Sequence, residues 1–263
     1  MTILTVVVGV LGLVVGSFLN VVIHRVPRGE SLVRPGSHCP HCSAAVRVRH
    51  NLPVLGWLLL RGRCADCRAR ISVRYPLVEL CTSVLFVAVT VQLDRLGLVE
   101  ALPAYLFFVA VGVALTAIDL DVQRLPNAIV LPAYLGLAAL LTGAALLEGS
   151  AEPLVRATVG SVGLFAFYFA LVLAYPQGMG FGDVKLAGVI GAVLGFVSYP
   201  ALVVGAFSAF LIGAVAGLAL MVARHASGKT AVPFGPAMVA GALLAIFASA
   251  PLADVYVRFV QLA

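Results

Sequence analysis

Charged residues are scarce in this chain, where Asp, Glu, Lys and Arg make up only 11% of 263 residues. Soluble globular domains carry about 25% charged residues. The hydrophobic share is 62%, so a soluble fold of this composition would expose a large apolar surface to water. The scarcity of charge excludes an ordinary soluble domain and favours a membrane protein.

Several other signatures are missing as well. The sequence contains no HExxH motif, which excludes the usual helical site of catalytic zinc. It shows no internal repeat, although many transporters are built from repeats. The first apolar segment has no basic residue ahead of it and no small-residue cleavage site behind it. We therefore expect a membrane span there and not a cleaved signal peptide.

Long uncharged stretches are abundant instead. A spanning helix needs about 20 apolar residues, and candidate stretches cover 1–23, 101–118, 125–147, 157–182, 186–223 and 230–253. The fifth of these has 38 residues and contains Ser198, Tyr199 and Pro200, which predicts two helices joined by a tight turn. Residues 76–93, apolar except for Glu79, add another span. We predict an all-α polytopic membrane protein with about eight transmembrane helices.

Basic residues are concentrated in one loop. Ten of the 17 lie between His24 and Arg74, and all ten are arginine. Cytoplasmic loops are enriched in Lys and Arg, so we predict that this loop is cytoplasmic and the N-terminus outside. If the chain crosses the membrane eight times, four later basic residues fall on the cytoplasmic side: Arg124, Lys185, Arg224 and Lys229. Nucleic-acid binding by the arginines is an alternative, but two spans tether the loop, and we expect no nucleic-acid partner.

Two CxxC pairs interrupt the arginine-rich loop, at Cys39 and Cys42 and at Cys64 and Cys67. Four thiolates satisfy tetrahedral Zn²⁺ without an open coordination position. A metal can also supply the folding free energy that so small an insert lacks. Two disulfides are an alternative, but they do not persist in the cytoplasm. A nearby histidine could also replace one cysteine. We predict a structural zinc site formed by the four cysteines.

Acidic residues inside a bilayer are costly and usually functional. Asp119 follows the third predicted span, and Asp183 lies between the fifth and sixth, so both fall on the cytoplasmic side. Two facing carboxylates can share one proton, so that one activates a water molecule and the other protonates the scissile amide. Alternatively, Asp183 caps a helix. Asp121 points away from Asp119, and we predict a solvated or turn-forming role for it.

Glycines and a third acid accompany these aspartates. Gly180 and Gly182 precede Asp183 and permit close approach of an extended peptide; Lys185 follows it. Glu79 is predicted to contact substrate, to reach toward water or to pair with an arginine such as Arg74. Three GxxxG pairs predict close helix packing: Gly12 with Gly16, Gly191 with Gly195, and Gly213 with Gly217.

These motifs resemble those of the bacterial type IV prepilin peptidases, also called leader peptidases and N-methyltransferases, which are GxGD aspartyl proteases. The matching segments run along most of the chain: 16–25, the two CxxC pairs, 51–57, 74–80, 118–127, 180–185 and 233–236. Asn127 departs from the pattern, since the family often has Asp there. The resemblance implies an N-terminal region, 1–95, carrying the insert at 24–75, and a membrane peptidase domain, 96–263.

The resemblance also implies a location, the bacterial inner membrane with the active site facing the cytoplasm, and an activity. The family cuts the basic leader from type IV prepilins and type II secretion pseudopilins, and many members then methylate the new N-terminal amine with S-adenosylmethionine. Asp119 and Asp183 would form the catalytic pair. The sequence has no glycine-rich turn of the soluble methyltransferase kind, so methylation rests on the resemblance, and we assign it to residues 16–79. A peptidase without methylation and a non-enzymatic transporter or scaffold are the alternatives.

Overall fold

A computed structural model describes residues 2–176, 178–223 and 233–262, with side chains described as far as residue 248. Within these ranges the regular secondary structure is helical, apart from two isolated β-bridges in the insert. The chain divides into two compact units, Met1–Asp94 and Arg95–Ala263. The helices are α1 (Thr2–Arg25), α2 (Leu55–Leu59), α3 (Arg74–Leu96), α4 (Leu102–Val122), α5 (Asn127–Glu148), α6 (Glu152–Ala174), α7 (Phe181–Val197), α8 (Tyr199–Val222) and α9 (Gly235–Leu262).

The long helices fit a membrane. By length and composition, six of the described segments could cross one: α1, α3, α4, α5, α6 and α8. Helix α7 has 17 residues, which corresponds to about 25 Å at 1.5 Å per residue. Helix α9 has an apolar stretch at Gly235–Ala248. The prediction of an all-α polytopic membrane protein is confirmed.

In the first unit, α1 and α3 pack at very short distance. Side chains are absent at Gly12 and Gly16, where a Cβ would lie 2.6 Å from the Cα atoms of Ser83 and Glu79, respectively. The Ser83 hydroxyl donates a hydrogen bond to the Gly9 carbonyl at 2.8 Å. The first GxxxG pair is therefore a packing surface, as predicted, and α3 fits directly against it.

In the second unit, α7 forms the centre. Its side chains at Leu186, Val193 and Phe196 have no exposed surface, because neighbouring helices surround it. Gly191 packs against Gly160 of α6 with so little space that a Cβ on either residue would overlap the partner's carbonyl oxygen. Backbones in such contact gain dispersion energy that larger residues would prevent.

The remaining glycine pairs behave differently from each other. Gly195 also abuts the α6 backbone, at the carbonyl of Arg156, so the Gly191–Gly195 prediction is confirmed. Gly213 faces the Phe234 ring, whereas a Cβ added to Gly217 would have no neighbouring atom within 4 Å. The prediction of close helix packing is therefore wrong for Gly217.

Two helix boundaries test the sequence predictions. The break near Ser198 is confirmed: α7 ends at Val197, and the Ser198 hydroxyl accepts the Ala201 N–H at 3.2 Å as the N-cap of α8. Helix α6, which corresponds to the predicted stretch 157–182, ends at Ala174 and not near residue 182. Pro176 explains the difference, because the helical backbone conformation is disfavoured for the residue that precedes a proline. Arg224 and Lys229 lie outside the described residues.

Candidate active site

Asp119 lies in the last turn of α4 and is 5% exposed. The helix ends just beyond it, where Gln123 adopts a left-handed conformation with φ of 51°. The Asp119 Oδ2 atom accepts a hydrogen bond from the backbone N–H of Gly235, the first residue of α9, at 3.0 Å. A donor from a helix distant in sequence thus holds this carboxylate in place.

Asp183 lies in the first turn of α7. Its Oδ2 atom accepts the backbone N–H of Gly180 at 3.1 Å, and its own N–H donates to the Gly180 carbonyl at 3.0 Å. This reciprocal pair is a helix-capping arrangement, so the alternative interpretation of Asp183 as a cap has a structural basis. The cap occupies one carboxylate oxygen and leaves the other for chemistry.

The two aspartates share a cavity of about 320 Å³. Both side chains line it, and two carboxylates that share a site favour holding one proton between them. The lining residues come from α4, α5, α7 and the segments before them: Asp119, Gln123, Arg124, Leu125, Asn127, Gly180, Phe181, Gly182, Asp183 and Lys185.

Most of the residues singled out from sequence meet in this cavity. Gly180 and Gly182 form its edge, and a Cβ on Gly182 would lie 3.1 Å from the Leu125 side chain. Glycine therefore keeps the wall open beside Asp183. Asp121 is an exposed residue near the end of α4 and does not line the cavity.

Lys185 is held on three sides. Its Nζ donates to the Asn127 Oδ1 at 2.8 Å and lies 4.9 Å from the centre of the Phe181 ring. Its carbonyl accepts the Tyr134 hydroxyl at 2.6 Å. The cavity thus carries a fixed positive charge beside the carboxylates. Sequence reasoning missed both Tyr134 and the role of Gly235, although Gly235 lies within the 233–236 motif.

Glu79 belongs to the first unit and is 7% exposed. Its Oε2 atom accepts the backbone N–H of Val54 in the insert at 2.7 Å. The side chain is turned inward, so the expectation that it reaches toward water is wrong. It joins the insert to the spans.

The four insert cysteines form one cluster. Their sulfur atoms all lie within 4.8 Å of one another. The Sγ atoms of Cys39 and Cys67 are 3.8 Å apart, and Zn–S bonds of about 2.3 Å place tetrahedral ligands about 3.8 Å apart. All four are free thiols, so the two-disulfide alternative does not describe this structure. The donor set and spacing fit zinc.

The two CxxC turns have the same local structure. In each, the N–H of the first cysteine donates to a carbonyl five residues on, and the residue after the second cysteine has positive φ: 57° at Ser43 and 61° at Arg68. Backbone N–H groups of Cys42 and His41 lower the pKa of Cys39 to about 6, whereas the neighbouring Cys67 thiol raises the pKa of Cys42. A thiolate is the form that binds metal, and Cys39 is the cysteine of this turn that forms one most readily.

Fold and site together define a class: a polytopic helical membrane protein with two carboxylates in one cavity and a four-cysteine insert in its other unit. Two family models match the chain. Residues 10–93 match the bacterial peptidase A24 N-terminal domain, and residues 106–222 match the type IV leader peptidase family. The chain belongs to the type IV leader peptidase family.

Curated relatives are similar in sequence to this chain along nearly its full length. The prepilin leader peptidase/N-methyltransferase of Aeromonas hydrophila is 38% identical over 261 residues, covering 89% of this chain and 87% of the relative. The protein of the same name from Neisseria gonorrhoeae is also 38% identical, covering 87% and 85%. A type 4 prepilin-like proteins leader peptide-processing enzyme from Escherichia coli is 37% identical, covering 91% and 92%. No solved structure matches the chain.

Proposed function

We propose that this protein cleaves the leader peptide from type IV prepilins and type II secretion pseudopilins, with Asp119 and Asp183 as the catalytic pair. The observation that supports this is their convergence on one cavity, with each carboxylate fixed by a backbone N–H. Fixed donors hold the reacting groups without rearrangement during the reaction. Family membership and the names of the relatives support the substrate class.

In this mechanism one aspartate is ionised and the other protonated. The ionised carboxylate takes a proton from a water molecule, whose oxygen attacks the scissile carbonyl carbon. The protonated carboxyl donates to the leaving amide nitrogen, and the C–N bond breaks. Lys185, held by Asn127, keeps a positive charge at the cavity wall, where it limits repulsion between the two acids.

The active site is proposed to face the cytoplasm. The arginine-rich insert supports this orientation, because cytoplasmic loops are enriched in Lys and Arg and the predicted spans then put both aspartates at the membrane boundary on the same side. A prepilin held in the bilayer by its apolar segment would present its leader junction at the same depth. N-methylation of the new amine is part of the proposal, because the full-length relatives carry that activity in their names.

The test uses purified full-length protein in detergent with a prepilin substrate. Asp119→Asn and Asp183→Asn should each accumulate in the membrane normally and leave prepilin uncut, because Asn keeps the shape but cannot carry the proton. Asp121→Asn is the matched control and should retain substantial activity. Robust cleavage by either of the first two variants would remove that residue from the mechanism. Mass spectrometry of the product would show whether a methyl group has been added.

A further inference from the structure

The short helix of the insert, α2, exposes three leucines. Leu55, Leu58 and Leu59 are 57%, 55% and 73% exposed. Residues three and four positions apart lie on the same side of a helix, so the three side chains form one apolar surface, which we call the leucine face. A contiguous apolar surface in an arginine-rich insert indicates contact with another hydrophobic surface.

The opposite side of α2 packs against the rest of the insert. Gly56 is buried, and a Cβ at that position would overlap the His50 carbonyl oxygen. The Trp57 Nε1 donates a hydrogen bond to the Ile71 carbonyl at 3.1 Å. These contacts fix the rotation of the helix about its axis, so the leucine face is directed away from the insert.

The start of α2 lies beside the membrane spans. The Val54 N–H, one residue before α2, donates to the Glu79 carboxylate at 2.7 Å. Glu79 lies five residues past the start of α3, about 7.5 Å along the helix, and packs against Gly16, which is about 13.5 Å from the end of α1. Helical side chains lean toward the helix N-terminus, so α2 begins beside the first two turns of α3, at the membrane boundary.

Those first turns of α3 expose residues that are typical of a lipid boundary. Tyr75 is exposed, and the exposed side chains of Leu77 and Leu80 follow it. Tyrosine is enriched at membrane interfaces, where its ring lies at the level of the headgroups. The leucine face and the exposed side chains of α3 therefore lie at the same level, and a single leaflet of the bilayer can cover both.

Two arginines follow the leucine face. Arg61 and Arg63 are exposed, and among the described residues neither side chain has a carboxylate partner. Arg47, by contrast, pairs with Asp66 at 3.0 Å. Long basic side chains extend from an apolar surface toward polar surroundings, and basic residues clustered beside a span attract anionic lipids. An apolar surface at the membrane boundary with positive charges next to it suits an anionic leaflet.

We propose that α2 is an interfacial anchor. The leucine face enters the leaflet on the insert side of the membrane, and Arg61 and Arg63 bind the headgroups of anionic phospholipids there. Under the proposed orientation this is the cytoplasmic leaflet. The anchor holds the insert against the bilayer independently of leader cleavage and of methylation.

The first test uses Trp57, which is the only tryptophan of the chain. Its indole is bonded to Ile71, three residues before α3, and so reports the position of α2 at the membrane boundary. Full-length protein is reconstituted into phosphatidylcholine vesicles with bromine, a short-range fluorescence quencher, near the headgroup end or near the terminal methyl of the acyl chains. Shallow bromine should quench at least about twofold more strongly, because interfacial helices lie about 5–10 Å into the headgroup and acyl boundary. Absence of quenching, or equal or stronger quenching by deep bromine, would overturn the proposal.

A second pair of vesicles tests the arginines. Brominated phosphatidylglycerol and brominated phosphatidylcholine are compared at the same mole fraction in unbrominated phosphatidylcholine. The anionic lipid should quench at least about twofold more strongly, because basic residues near the surface attract it. The excess should disappear in Arg61→Gln/Arg63→Gln and persist in Arg47→Gln, the matched control whose charge is already paired. Equal quenching by both lipids in the wild type, or an excess that survives in the double variant, would overturn the headgroup contact.

A third measurement tests the leucine face. Leu58→Ser/Leu59→Ser should lower quenching by shallow bromine by at least about half, because interfacial binding scales with the apolar area inserted. Val33→Ser is the matched control: Val33 is also an exposed apolar residue of the insert, but Arg25 binds its segment at the end of α1. Undiminished quenching in the leucine variant would overturn the anchor. The wild-type comparison of shallow and deep bromine needs no variant and decides the question even if the double variant misfolds.

Discussion

Replacing Gly235 with alanine should impair the peptidase while leaving the protein folded. The added Cβ would lie 2.8 Å from Asp119 Oδ2, whereas ordinary contact begins near 3.4 Å, so the two atoms must separate by about 0.6 Å. The Gly235 N–H also donates to that oxygen, and hydrogen bonds to charged groups contribute about 1.5–3 kcal/mol. The substitution therefore moves a carboxylate and strains the bond that positions it.

The size of the effect follows from how sensitive catalysis is to position. A displacement of about 1 Å can reduce a rate about 100-fold, so a shift of about 0.6 Å should lower kcat about tenfold or more. KM should change little, because Gly235 acts through Asp119 and not on the substrate. The assay is cleavage of a prepilin in detergent at several substrate concentrations.

A second glycine provides the control. Gly217 lies in α8 and has no atom within 4 Å of an added Cβ. Gly217→Ala should cleave like the wild type and gain up to about 1 kcal/mol in helix stability. A wild-type kcat in Gly235→Ala would refute the argument that this contact positions Asp119.

Three further predictions concern metal, topology and packing. Cys67→Ser should reduce bound zinc from about one ion per chain to near zero, as measured by elemental analysis, and should lower protein yield; undiminished zinc would contradict a four-cysteine site. A thiol introduced near Glu148 should react with an external reagent and one near Lys229 should not; the reverse pattern would invert the orientation. Gly160→Ala should destabilise the fold by about 1–3 kcal/mol or more, measured by denaturant unfolding, whereas Gly163→Ala, which meets nothing within 4 Å, should not.

Local signals predicted much of the helical architecture. Ser198 and Pro200 encode the break between α7 and α8 through ordinary capping chemistry, because a serine accepts an early helix N–H and proline suits the first turn. Pro176 is an equally local signal for the end of α6. The uncharged stretch continues to Gly182, however, and therefore predicts a span that extends too far. Apolar composition marks where a helix can cross a membrane, and it does not mark where the helix ends.

The candidate site was only partly accessible to sequence reasoning. Asp119 and Asp183 stood out because charge is rare in apolar surroundings. The bond between Asp119 and Gly235 spans 116 residues, and no local pattern encodes a contact that depends on how α4 and α9 pack. The same holds for Glu79, whose bond to Val54 depends on how the insert folds back onto α3.

The matched pair of CxxC turns has a consequence for how the family can vary. Each turn contributes two of four sulfurs, and a site reduced to two ligands would leave half of the zinc coordination shell to water. Loss of one turn would then remove most of the stabilisation while keeping two reactive thiols. We expect natural variants to carry either all four cysteines or none. Chains with only two should be rare, and an insert without cysteines should be shorter or rebuilt around an apolar core.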